Sequence, residues 1–237
     1  RKTLVGAMGN ISSEKIPVLK DKYNFHNRYE KLKTVLNDPS EKEIMLSLSQ
    51  QFNDEQMKSV MKSEFTSLPT MFQSKEMLED FKSPLSYMMA IDFQTYMLDD
   101  ILQKVDRATM TNSLEGREPM LDHRILEFTA QLPDEYKYQN GLKKRILREI
   151  TNDYIPKELL DRPKMGFAIP IAKWLKNELR DHVEEYLNED RIEKQGIFNW
   201  EFITKLKMDF YKGRKEYDSK LWYFLMFQMW YERWMEN

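Results

Sequence analysis

Apolar residues recur at helical spacing through the second half of the chain. Ile171, Leu175, Leu179, Val183 and Leu187 stand four residues apart, with Trp174 widening the stripe, and predict one amphipathic helix opening at Pro170, where a missing N–H costs nothing. A second helix is predicted from Pro84 with Ser83 as N-cap; Met97, Ile101, Val105 and Ala108 share a face of its later part, and a break is expected near Thr95. Leu142, Ile146, Leu147 and Ile150 mark a third helix, ended before Pro156. Phe202, Ile203, Leu206 and Phe210 mark a fourth, with Asn199 as N-cap and Gly213 as its stop. The segment from Ser219 to Trp234 is apolar on nearly every side, so neighbours must bury it.

Residues 1–82 read as polar helices divided by Pro17, Pro39 and Pro69. Ser40 and Glu43 have capping-box spacing ahead of Ile44, Met45 and Leu48. No window alternates with period two, so a mainly α fold is expected, with short strands confined to connections. Without an internal repeat or linker, the chain is expected to form one compact domain: a variable helical segment at 1–82 laid on the more strongly patterned 83–237.

Composition narrows the chemistry. The 237 residues include no cysteine, which excludes a disulfide scaffold, a thiolate metal site and a cysteine nucleophile within this sequence. With 37 Lys+Arg against 39 Asp+Glu, bulk charge offers nothing to attract nucleic acid or a membrane surface. No apolar run approaches the roughly 20 residues of a membrane span, and the start RKTLVGAMGN lacks a signal-peptide core, so a cytoplasmic protein is expected. Seven dispersed glycines make no phosphate-cradling loop. His26, His123 and His182 are isolated; Asp99 and Asp106 stand two turns apart on a helix with Asp100 pointing elsewhere, which reads as a solvated face over a divalent-ion site, so no metal site is expected.

Two stretches interrupt the helical pattern. In Ser113-LEGREPMLDHR, the charges Glu115, Arg117, Glu118 and Asp122 alternate with apolar residues, an arrangement expected to be partly buried. A buried Arg117 requires carboxylate partners, so the stretch reads either as a structural ion-pair network with Asp122 capping the helix from His123, or as a charged site. In Asp161-RPKMGFAIP, Lys164 sits on a loop stiffened by Pro163 and Pro170. It is either a solvated lysine or a point charge for a phosphate or a developing negative charge, and spacing leaves both open.

The runs Asp106-RATMTNSLEGREPMLDHRILEF, Leu132-Pro133, Lys144-RILRE, Pro156-KELLDRPKMGFAIPIAKWL and the Leu221-Trp222 helix, in this order, resemble the C-terminal half of the synthetase domain of glutamine-hydrolysing asparagine synthetases. The likeness covers roughly 84–235. It implies the helical C-terminal portion of an adenine-nucleotide α-hydrolase-like (PP-loop) α/β synthetase domain. The implied reaction is a two-step ligation in which aspartate and ATP, with magnesium, give a β-aspartyl-adenylate and pyrophosphate, after which ammonia from glutamine displaces AMP. Family members carry an S-G-G-x-D-S loop and a glutaminase domain with a terminal cysteine. Neither occurs in this sequence, so the chain is expected to be a fragment, inactive alone, whose partners are the nucleotide-binding and glutaminase domains. A homodimer is compatible with this reading.

The resemblance implies that Lys164 faces the α-phosphate and departing pyrophosphate. It also implies that Glu115, in the family's L-E-x-R-x-P-x-L-D motif, supports a base near the acyl-adenylate, while Arg117 and Asp122 organise the site. Glu118 departs from the valine common in the family, which leaves an amidotransferase acting on a surface-polysaccharide precursor as one alternative. A non-enzymatic helical interaction domain is the other.

Overall fold

A computed structural model describes residues 31–32, 35–36, 38–63, 68–74, 77, 81, 83–161, 169–214 and 217–236. After helical residues at 31–32 and 35–36, the described residues form helices α1 (Glu41–Ser49) and α2 (Asp54–Val60). Ser40 caps α1 by accepting from the Glu43 amide at 3.3 Å, and Asn53 and Gln56 form a reciprocal capping box on α2. Next comes a rod: α3 (Pro84–Asp92), a π-helical segment (Phe93–Leu102) and α4 (Gln103–Met110). Then follow α5 (His123–Gln131), α6 (Asp134–Lys137), a hairpin of β1 (Tyr138–Gln139) and β2 (Leu142–Lys143), α7 (Arg145–Asn152) and α8 (Lys157–Leu160). The last helices are α9 (Ile171–Lys176), α10 (Arg180–Tyr186), α11 (Glu189–Gln195), α12 (Trp200–Tyr211) and α13 (Asp218–Met235). The fold is mainly α, and the hairpin is the one sheet among the described residues.

Several helix boundaries follow from local chemistry alone. Ser83 accepts from the Ser86 amide with Pro84 in the first turn, and Asn199 accepts from the Glu201 amide at 3.0 Å. Gly213, at φ 101°, ends α12 in a Schellman motif: its amide donates to Phe210 O and the Arg214 amide to Asp209 O.

Three of the expected element boundaries differ in the structure. No break occurs near Thr95: the rod stays helical and widens to π geometry, while the Thr95 hydroxyl donates to Ile91 O at 2.7 Å. The single helix expected over 171–187 is two, α9 and α10, separated by a turn at 177–179. A four-residue repeat drifts about 40° per step on a straight helix, roughly 160° from Ile171 to Leu187, and would spread the stripe over half the surface. The turn resets the direction, and Leu175, Val183 and Leu187 all become fully buried. Finally, Leu142 lies in β2 rather than in a helix, because Asn140 (φ 50°) and Gly141 (φ 85°) form a tight two-residue hairpin turn.

Packing divides the chain into two compact units, one of Arg1–Leu68 with Ala168–Asn237 and one of Pro69–Phe167. The first holds the main core: Val60, Leu175, Val183, Leu187, Ile192, Phe198, Ile203, Leu206, Phe210, Leu221, Phe224 and Leu225. Burying each large apolar side chain contributes about 1.5–3 kcal/mol. Phe198 packs edge-on against Phe224 and Phe227, and a bridge between Met61 and Phe198 ties the end of α2 to the α12 approach. Gln228 is fully buried in α13, exchanging two hydrogen bonds with Gln195 and accepting one from Arg191. Helix α13 is only half covered: Tyr223, Trp230 and Trp234 are exposed, against the burial expected on all sides.

In the second unit Phe72, Met77, Tyr87 and Ile91 are buried, but no residue from Phe93 to Asp161 is. Its helices are joined mainly by polar ties. Arg145 reaches Glu149 and Gln139 and lies over the Tyr136 ring. Among the described residues no helix is long and apolar enough to cross a membrane.

Candidate functional site

The charged motif begins where α4 stops. The Ser113 amide donates to Met110 O and the Leu114 amide to Thr109 O, a Schellman motif that places Ser113 in the left-handed region at φ 58°. The chain then folds back on the helix: a Cβ on Gly116 would lie 3.6 Å from Thr109 Oγ1 and 3.8 Å from Val105 Cγ1, ordinary contact distances. Glu115 and Arg117 flank this touch point, and the α4 stop therefore sets where both emerge.

Arg117 binds Glu115 through two bonds, Nε to Oε1 at 3.0 Å and Nη2 to Oε2 at 3.2 Å. The partial burial expected for this pair is absent, since the Arg117 side chain is 83% and the Glu115 side chain 68% exposed. An exposed pair of this kind is worth only about 0–1 kcal/mol, so both charges remain accessible to an incoming group. Glu118 is exposed as well and makes no ion pair among the described residues, so it leaves the Arg117–Glu115 pairing intact.

Asp122 does cap α5, accepting from the Arg124 amide at 2.9 Å. The same carboxylate takes Arg124 Nε at 2.9 Å and Nη2 at 2.7 Å. The Arg124 side-chain bonds, then its backbone N–H, hold the Asp122 carboxyl below the usual carboxylate range. The motif is therefore two separate ion pairs, Glu115–Arg117 and Asp122–Arg124, with no hydrogen bond or salt bridge joining them among the described residues. The spacing of the motif's charges assigns no role to Arg124. Its signal is an arginine two positions after an acidic N-cap, where the side chain can fold back onto the cap.

Lys164 and its loop lie outside the described residues. The loop's approach is visible: Arg148 of α7 binds Asp161 at 2.6 Å, just before it. Arg148 falls in the K-R-I-L-R-E run, and sequence alone could not say which carboxylate it meets. Asp100, weighed as a metal ligand, pairs with Lys104 at 2.9 Å. Among the described residues no three His, Cys, Asp or Glu side chains gather to hold a metal ion.

Comparison with known proteins adds what geometry cannot. The asparagine synthase family profile matches residues 13–232. "Asparagine synthetase [glutamine-hydrolyzing] 1" of Bacillus subtilis is 34% identical over 149 residues, 63% of this chain and 23% of that protein. The Homo sapiens asparagine synthetase is 41% identical over 93 residues, 38% of this chain and 16% of its own length. The Cricetulus griseus enzyme is 39% identical over 100 residues, 39% of this chain and 18% of its own. The chain thus spans less than a quarter of the length of these curated relatives. No solved structure matches it. With the profile running through nearly the whole sequence and the L-E-x-R-x-P-x-L-D segment in place, the chain belongs to the asparagine synthase family.

Proposed function

We propose that this chain is the helical part of an ATP-dependent amide ligase of the asparagine synthetase type. In the complete enzyme the β-carboxylate of aspartate attacks the α-phosphorus of ATP, pyrophosphate leaves, and ammonia from glutamine attacks the acyl carbon to release AMP. The observation that carries the reading is the family match across residues 13–232, shared with relatives named for glutamine-dependent asparagine synthesis. Lys164 supplies positive charge to the α-phosphate and leaving pyrophosphate. Glu115 supports the base near the acyl-adenylate, and Arg117 and Asp122 hold the segment in place. The exposed, bidentate Glu115–Arg117 pair supports a role in chemistry over one in stability, because its loss removes little folding energy.

Among the described residues no group of three carboxylate or histidine side chains gathers, so the magnesium that accompanies ATP in the family finds no ready-made cage there. ATP and magnesium belong on this reading with the nucleotide-binding part of the enzyme, ammonia with the glutaminase part, and the whole in the cytoplasm. Apolar side chains left uncovered between 93 and 161, among them Ile125, Phe128, Leu147 and Ile150, support docking to that nucleotide-binding part. Alone, the chain is expected to show no ATP–pyrophosphate exchange.

The test is made in the full-length parent. Lys164→Ala is expected to slow adenylate formation on the order of 10²-fold, measured by pyrophosphate exchange, and a wild-type rate would sink the assignment. Glu115→Gln is expected to slow amide formation with the melting temperature nearly unchanged. A variant that mainly melts earlier would return the motif to a structural role.

A further inference from the structure

Helix α12 turns one stripe, Trp200, Thr204, Lys207 and Tyr211, toward an open pocket of about 540 Å³ closed on another side by Glu184 of α10. Its size is within the roughly 300–1,000 Å³ of small-molecule sites. Everything that lines it belongs to the first compact unit.

Lys207 distinguishes this pocket from an ordinary surface dent. Lysine is almost never buried without a partner, yet Lys207 is only 8% exposed. Its Nζ donates to Glu184 Oε2 at 2.7 Å and to Leu187 O at 2.8 Å, and stands 6.0 Å from the Trp200 ring centre. An ammonium has three N–H donors, and these two bonds use two of them.

Charge and shape define the occupant. Glu184 neutralises Lys207, but Lys212, at the end of α12, lines the same pocket and makes no ion pair among the described residues. Arg180 lies outside the lining, with its guanidinium 5.0 Å over the Tyr211 ring. Burial keeps the Tyr211 phenol above its usual range, so that ring adds no opposing charge. The wall therefore joins net positive charge to two aromatic rings, Trp200 and Tyr211, which suit a flat apolar body.

We propose that this pocket is a binding site for a small organic anion with a flat ring, its carboxylate or phosphate held by Lys207 and Lys212 and its ring set against the pocket's aromatic wall. The site is independent of the ligase reading and needs none of that reaction's residues.

The test titrates the 237-residue chain with phenyl phosphate, benzoate and phenol, following the Trp200 indole N–H resonance assigned through Trp200→Phe. Phenyl phosphate or benzoate is expected to shift this resonance saturably, the tighter of the two naming the head group, with phenol at least about tenfold weaker. Lys207→Gln removes a buried tie and can unfold the unit, so the decisive variant is the exposed Lys212→Gln. It is expected to weaken anion binding about threefold or more at low salt, with an unchanged melting temperature, while Lys194→Gln on α11 leaves binding intact. Phenol binding as well as the anions, an affinity indifferent to Lys212→Gln, or a Trp200 resonance that does not move would overturn the proposal.

Discussion

Helix α13, apolar on nearly every side, and helix α7, with a single apolar stripe among charged residues, meet different fates. On α13, Leu221, Phe224 and Leu225 are at most 4% exposed, whereas on α7 Leu147 is 39% and Ile150 52% exposed. An apolar stripe belongs to one helix, but burial belongs to a pair of elements. In the first unit stripes from α9 to α13 meet one another. Along 93–161 helices touch through caps, ion pairs and a hairpin, leaving their apolar faces uncovered within this chain. The stability of the isolated chain therefore resides in the first unit, while Glu115, Arg117 and Asp122 sit on the connection between α4 and α5, where no residue is buried.

That contrast is open to mutation. Leu225→Ala is expected to cost about 2–5 kcal/mol in urea unfolding, and Phe128→Ala, at a 59% exposed position, to stay within about 0.5 kcal/mol. Equal losses would break the contrast outright. Gln228→Ala is expected to cost about 1–3 kcal/mol, because it strips buried partners from both Gln195 and Arg191.

The two Schellman stops sharpen the comparison at smaller scale. Gly213 takes a left-handed angle freely, and Gly213→Ala is expected to destabilise the first unit by about 1 kcal/mol. Ser113 holds the same kind of angle with a Cβ, so Ser113→Gly is expected to raise the amide-exchange protection of α4 by up to about 1 kcal/mol. Loss of protection there would mean that Ser113 does more than stop a helix.

The smallest effect is a pH dependence. The folded carboxyl of Asp122 titrates below its unfolded counterpart, so its cap is fully formed above the ordinary carboxylate range and weakens as pH falls through the lowered folded value. Protection of the Arg124 amide is expected to fall over that acidic window, and Asp122→Asn to remove the trend. A profile that stays flat in the unmutated chain would show that Arg124 does not hold this carboxylate.

Much of this was legible without coordinates. The caps Ser83, Asn199 and Asp122 and the stop at Gly213 were readable because each depends on a few neighbouring residues. The Asn140-Gly141 turn has a hairpin signature, but the two-residue strands beside it show no alternation that would mark them as strands. The break between α9 and α10 was not legible: the four-residue repeat is satisfied by one helix or two, and only the shared core distinguishes them. Nor was the exposure of Arg117, because alternating charged and apolar residues describe a buried network and an open loop equally well.

By itself the sequence determined the helical class, most helix ends and the family, all of which rest on local chemistry and ordered motifs. Tertiary structure alone decided which stripes find partners, that Glu115 and Asp122 answer to different arginines, and that Lys207 is buried beside a pocket. These depend on residues far apart in sequence: Glu184 and Lys207, or Arg191 and Glu232, meet only after the helices have packed. Short-range rules leave such long-range encounters undetermined.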